Sequence, residues 1–293
     1  MDRLYRVLPR LGMEGAIERA CELSTGMVAP SQTFQYPEAA GEVSGGYEGG
    51  RRFRFLEQTM SFPDGYDWLP AETSLAWQFR LNYFDWAPRL AGEGRHEELR
   101  EQVESWIRQN PPGRVPPWHH YPTSLRIVNW IRALMVMGER HGRPSWTRSL
   151  SHQAAFVEAN LEFHLGANHL IENAFALLVA GLFFRGTAAR RWERKGLELL
   201  TAELDQQALP DGGHIERSVS YHVRVNQVCR EALGLLQANQ RPMPLTLHDV
   251  HERMSSFTES MRHCDGNVPL FHDAQWIENS DWDRFLRLKT ALV

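Results

Sequence analysis

Apolar positions in this chain recur at helical spacing over most of its length, and the breaks between them carry Pro, Gly and paired polar residues. Leu4, Val7, Leu8 and Leu11 mark a short amphipathic helix within residues 1–24. Residues 25–50 are rich in Gly, Ser and Pro, and Ser44-Gly45-Gly46-Tyr47-Glu48-Gly49-Gly50 reads as a linker. Arg52-Phe53-Arg54-Phe55-Leu56 alternates as a short strand does, and Pro63-Asp64-Gly65-Tyr66 signals a turn. From Glu97 the pattern predicts helices over 97–109, 125–140, 145–163, 172–184, 188–206, 217–238, 247–261 and 281–292, separated by Pro- and Gly-bearing loops. Thr123 or Ser124 is expected to cap the second of these helices; for the fourth, Asn168 as a mere N-cap is the plain alternative to the functional role favoured below. The 172–184 stretch is apolar on nearly all sides and is expected to be buried.

Strand signal is confined to the region before residue 70, so the expected class is all-α, with a short irregular, β-containing N-terminal segment. Short loops between helices of three to five turns predict antiparallel pairs. No fixed-period repeat is visible, which leaves a ring of helical hairpins, an incomplete (α/α) toroid, with loops converging on a central cleft.

Composition narrows the function. The 293 residues are 42% hydrophobic, enough for one large domain or two modest ones. A formal net charge of −4 gives no overall basic footprint for nucleic acid or a membrane surface. Nearly all of the 32 basic residues are arginine, the better bidentate clamp for carboxylate and sulfate. Cys21, Cys229 and Cys264 are odd in number and widely spaced, so reduced thiols are expected rather than a disulfide framework or zinc ribbon. The N-terminus lacks the apolar core of a signal peptide, and the 177–184 run is too short to span a bilayer; both fit a soluble, cytoplasmic chain.

Two stretches carry candidate chemistry. Leu165-Gly166-Ala167-Asn168-His169-Leu170-Ile171-Glu172-Asn173 interrupts the most apolar part of the chain with two amides, an imidazole and a carboxylate. Polar groups there are costly unless they are paired or kept for a ligand. Asp211-Gly212-Gly213-His214-Ile215-Glu216-Arg217-Ser218-Val219-Ser220-Tyr221-His222 has the same character. A third stretch, residues 75–86, interleaves aromatics with polar groups. It suits either a buried helix or the wall of a sugar groove, where rings stack on pyranose faces.

At these residues the chain resembles the heparinase II/III-like polysaccharide lyases, in their helical N-terminal domain. The resemblance rests on Asn168-His169-Leu170-Ile171-Glu172-Asn173, on the 211–222 stretch and on Arg80-Leu81-Asn82-Tyr83-Phe84-Asp85-Trp86. Tyr121-Pro122-Thr123-Ser124-Leu125-Arg126-Ile127-Val128-Asn129-Trp130 adds to it. It covers roughly residues 50–275 and implies the toroid fold reached above. It also implies β-elimination at a uronic acid, with an acidic polysaccharide as partner and no cofactor or metal. Asn168 would neutralise the sugar carboxylate beside His169, and Tyr221 would be the general acid and a candidate base. Tyrosine titrates near pH 10, so base work needs a donor-rich field, for which His169, His222 and Arg217 are at hand. Glu172 or Glu216 would orient an imidazole. Asn82, Tyr83, Trp118, His119, Tyr121, Arg126, Asn129, Trp130, His214 and His272 complete the expected substrate contacts.

The expected layout is an N-terminal helix and linker over 1–50 and the toroid over 51–293, without the β-sandwich that follows it in the family. The sequence is then either a fragment or a shortened relative that binds without cleaving or works with a partner chain. The family resemblance points to the periplasm, against the cytoplasmic reading of the N-terminus. A hydrolase using Glu172, Glu216 or Asp211 ranks low, because an amide–imidazole pair beside a phenol is poor equipment for an anomeric carbon. His248, His251 and Glu252 share a helical face, where a solvated surface is the plainer reading than a metal site. His263-Cys264-Asp265 and Phe271-His272-Asp273 match no standard zinc spacing, and a cleft-lining role is preferred for His272 or Asp273.

Overall fold

The computed structural model describes residues 46–139 and 143–261 continuously, with 28–37 and the isolated positions 19, 22, 25, 26, 263, 269, 271 and 272. The expected helix over 281–292 lies outside the described residues, as do Cys21, Cys264, Asp265 and Asp273; of the expected helix over 1–24 only positions 19 and 22 are described, both helical.

The alternating segment forms β3 (Arg52–Phe55), between β2 (Tyr47–Gly49) and β4 (Gln58–Ser61) in an antiparallel three-stranded sheet. Its inward residues Phe53 and Phe55 face an aromatic core. A second sheet pairs β1 (Ala29–Pro30) with β5 (Phe184–Arg185) across more than 150 residues. No local pattern could announce that pairing.

The helices are α1 (Leu75–Leu81), α2 (Ala87–Gly92), α3 (His96–Gln109), α4 (His120–Val136), α5 (Pro144–Ala159), α6 (Ala167–Phe183), α7 (Thr187–Gln207), α8 (Val219–Ala238) and α9 (Leu245–Ser260). The helix α6 lies at the centre, packed against α4, α5, α7 and α8, and all of it is buried except Ala167 and His169. Its contact with α7 is close enough to require glycine. A Cβ on Gly181 would stand 2.2 Å from the Glu193 nitrogen, and one on Gly196 would stand 2.5 Å from the Leu178 nitrogen. No helix of the described residues is long and apolar enough to cross a membrane.

Helix starts depart from the expectations for local reasons. α4 begins five residues early, because His119 takes the N-cap and accepts from the Tyr121 N–H; Thr123 and Ser124 lie within the helix. Pro122 is tolerated there because the first turn has no intrahelical acceptor for its missing N–H. In α6 the N-cap is Gly166, not Asn168, which sits in the first turn.

The aromatic stretch over 75–86 settles mostly as core. Trp77, Phe84 and Trp86 are 0% exposed. Phe84 stacks on Trp68 at 5.0 Å and meets Trp130 edge-on at 5.3 Å. Trp86 donates to Gln102 at 2.7 Å, and Trp106 to Asn82 at 2.8 Å. Of this stretch's rings, only Phe79 and Tyr83 keep partial exposure.

Candidate active site

Two inter-helix loops build the site. The first, 160–166, leads into α6; the second, 208–218, leads into α8. The second is a tight ladder: Leu209 N–H donates to Gly213 O at 2.8 Å, Ile215 N–H to Gln207 O at 3.0 Å, and Gly213 N–H to Asp211 Oδ1 at 2.9 Å. Gly212 fits its turn because φ is +89° and a Cβ would strike Arg253 O at 2.1 Å. The loops are tied together. Asn168 N–H donates to Glu216 Oε1 at 3.2 Å, and Gln207 Nε2 donates to Ala167 O at 3.1 Å. Each loop enters its helix through a left-handed non-glycine residue, Ala167 at φ +47° and Arg217 at φ +54°. Such residues cost roughly 1–3 kcal/mol each and persist where the surroundings over-determine them.

Around this junction stand the candidate groups. The Asn168 side chain is 8% exposed, and its amide makes no hydrogen bond among the described residues. One position on, the partly exposed His169 packs tilted against the Tyr121 ring at 4.4 Å and contacts Glu162 Oε1 through Nδ1 at 3.2 Å. Glu162 is sealed in and also accepts from Asn173 Nδ2 at 3.1 Å, whose amide in turn donates to Ser124 at 3.0 Å. Burial works against ionising Glu162, but the hydrogen bonds from His169 and Asn173 and the nearby imidazoles outweigh it and hold the carboxyl below its usual range. An ionised carboxylate only accepts, so in this contact His169 Nδ1 is the donor and its Nε2 is directed away from Glu162.

Tyr83 meets the Tyr121 ring edge-on at 5.8 Å. Burial, then the charge of Glu172, pushes the Tyr121 phenol well up. Glu172 is 2% exposed and held bidentate by Arg224, at 2.5 and 2.8 Å. That clamp makes Glu172 a support for Arg224, which is partly exposed, and a poor acid for hydrolysis.

Asn168, His169, Tyr221, Glu216 and Arg217 thus lie on the two loops or the helix starts they lead into, while Tyr83 comes from the turn after α1 and His119 and Tyr121 from the start of α4; Asn168 and His119 are nearly buried and the others are partly or fully exposed. Seven expected contacts are corrected, because their side chains are packed inside protein; most of their polar atoms bond the scaffold, and the Trp130 indole nitrogen and His222 Nδ1 are buried without a partner. Asn82 donates to Trp68 O and Gln78 O. Trp118 donates to Asn110 O, and Trp130 is wholly enclosed. Arg126, 0% exposed, donates to Gln153, Asn82 O, Pro117 O and Thr123 and lies 3.9 Å over the Trp106 ring. Asn129 fixes the Tyr83 carbonyl at 3.0 Å. His214 pairs with Gln207, and His222 with Met254 O and Thr258; burial drops both imidazoles to about 4. His222 therefore cannot lend positive charge to Tyr221 at neutral pH. His272 is exposed, in a stretch where only isolated positions are described.

The sequence reading missed Glu162, His120 and Arg224. Glu162 sits between Leu161 and Phe163, and nothing in that spacing marks its carboxylate as the anchor of His169. The 248–252 face resolves as solvated: His248 and Glu252 are exposed, and His251 bonds Asn226 at 2.9 Å.

The family described as Heparinase II/III N-terminus matches residues 53–292. The chain belongs to that family. It is 27% identical over 234 residues to a heparin-sulfate lyase of Bacteroides thetaiotaomicron, covering 74% of this chain and 32% of that protein. It is 24% identical over 217 residues to the FtsZ-localized protein C of Caulobacter vibrioides, covering 73% of this chain and 38% of that protein. In fold it is similar to the crystal structure of heparinase III, with a TM-score of 0.69 at 18% identity, over 98% of this chain and 53% of that one. The likeness bears out the helical toroid. The chain spans about a third to a half of the lengths of these relatives.

Proposed function

We propose that this chain supplies the helical half of a polysaccharide lyase that cleaves an acidic, uronate-containing glycan by β-elimination. The observation that carries the reading is Asn168, 8% exposed and with no side-chain hydrogen bond among the described residues, at the point where two tied loops meet and next to His169. Supporting it are relatives named as heparin-sulfate lyases and the family membership.

In the proposed reaction the uronate carboxylate accepts from the Asn168 amide and from a neighbouring donor. Charge from the breaking C5–H bond spreads onto that carboxylate, so donors aimed there lower the barrier. A base takes the C5 proton, a C4=C5 double bond forms, and the C4–O bond breaks. Tyr221 donates its phenolic proton to the departing glycosidic oxygen. The lone-pair Nε2 of His169 is the base candidate on this side of the cleft. Its polarity is fixed by ionised Glu162, which also stabilises the imidazolium formed.

The test is ultraviolet absorbance of the unsaturated product on a panel of uronate polymers. Wild type is expected to produce it, and Tyr221→Phe to lose the signal while retaining binding. An unaffected Tyr221→Phe removes that phenol from the mechanism. A second reading is a module that binds acidic glycan without cleaving it. Saturable binding with no product from any uronate polymer would select it.

A further inference from the structure

We propose that His119, His120 and Glu162 form a binding site for one divalent transition-metal ion of the zinc class. One ligand atom from each lies within 4.8 Å of the other two, and all three residues are buried. The strongest sign is His120. It is 8% exposed, its Nδ1 is sealed from solvent without a hydrogen-bond partner, and that nitrogen lies 3.9 Å from Glu162 Oε1. A buried ring nitrogen left unpaired is costly, and a cation shared with the facing carboxylate would satisfy it.

The donor set suits the ion. Two imidazoles and a carboxylate match zinc, and three protein ligands leave a fourth position for water. Each neutral imidazole offers one lone-pair nitrogen to an ion. The supporting contacts are in place. Asn173 holds Glu162 Oε2, and Ser124 holds Asn173. His119 Nδ1 accepts from the Tyr121 N–H at 3.4 Å, longer than an ordinary hydrogen bond, so an ion taken at the other nitrogen gives up only a weak contact. The ligand atoms must draw in to bonds of roughly 2.0–2.1 Å, a movement within reach of the imidazole and carboxylate torsions. The site goes beyond the elimination chemistry proposed above, which needs no ion, and departs from the expectation of no metal. Glu162 Oε1 also contacts His169 Nδ1 at 3.2 Å, so the same carboxylate would serve both the ion and that imidazole.

The test is equilibrium dialysis of the full chain against Zn²⁺ near neutral pH, with metal content measured by atomic emission. Co²⁺ in its place gives a visible spectrum that reports coordination. Wild type is expected to retain one equivalent. His119→Gln and His120→Gln should each weaken it about tenfold or more, and His248→Gln on the solvated face should not. No saturable uptake by wild type, or uptake unchanged in both His119 and His120 variants, overturns the proposal. If those variants fail to fold, imidazole NMR of wild type decides. Zn²⁺-induced shifts at His119 and His120 support the site, and shifts confined to other histidines overturn it.

Discussion

At the scale of single residues, the polar groups divide by what they touch. Arg126 has no carboxylate partner among its hydrogen bonds and is satisfied by carbonyls, an amide, a hydroxyl and the Trp106 face. Removing it strands those acceptors, so Arg126→Ala is expected to cost about 3–5 kcal/mol in denaturant unfolding. Arg224→Ala leaves the buried Glu172 carboxylate alone and should cost a similar ~3–5 kcal/mol. From sequence, Arg126 and Glu172 look alike as candidate contacts, because residue type and spacing do not reveal whether a partner waits across the cleft or inside the core. The same blindness hid Glu162, whose meaning comes only from His169 seven residues on and His120 far back in the chain.

Titration separates these residues further. Burial lowers His214 and His222 to about 4, whereas the unfolded chain binds protons at histidine near pH 6.5. Between those values the unfolded state holds more protons, so this stability is complete above about 6.5 and is lost as pH falls toward 4. Asp85 has the opposite sign. Burial raises it from 3.8 to about 7, so in the same window the native state holds the extra proton and stability falls as pH rises. Asp85→Asn is therefore expected to raise the urea midpoint above about pH 7 and to steepen the acid loss. A variant no more stable than wild type at high pH would show that Asp85 is better solvated than its unpaired buried Oδ1 implies.

At the scale of elements, periodicity located the long helices because each buries one face, or in α6 every face, and burial imposes the 3.6-residue period. Caps and short elements were less legible. The start of α4 depends on an imidazole acting as N-cap, and β1–β5 joins two segments that share no local signal. The α6–α7 contact is likewise invisible until the backbones are placed. Gly181→Ala forces a methyl against the α7 backbone, and overpacking of this kind costs about 1–3 kcal/mol or more. A thermal melt should show the loss. An unchanged melting temperature would mean the two helices can separate freely, contrary to the packing described. Gly92→Ala, where the nearest atom is a side-chain carbon at 4.0 Å, is the control and should be tolerated.

At the scale of the whole molecule, the loop before α6 and the loop after α7 meet at one end of their hairpin and are tied through Asn168 and Glu216. The two stretches read from the sequence as chemically alike are neighbours because α6 and α7 form a tight hairpin between them. What the sequence overstated was the size of the contact surface, since much of the aromatic and basic material around the junction is core. The account then rests on one claim: the Asn168 amide is reserved for a sugar carboxylate. Its most direct measurement compares binding of a uronate oligosaccharide with its carboxyl-reduced counterpart, in wild type and in Asn168→Ala. Wild type should prefer the carboxylate form, and the variant should lose roughly 10–100-fold of that preference, the worth of a hydrogen bond to a charged group. A preference that survives intact in Asn168→Ala would contradict the account.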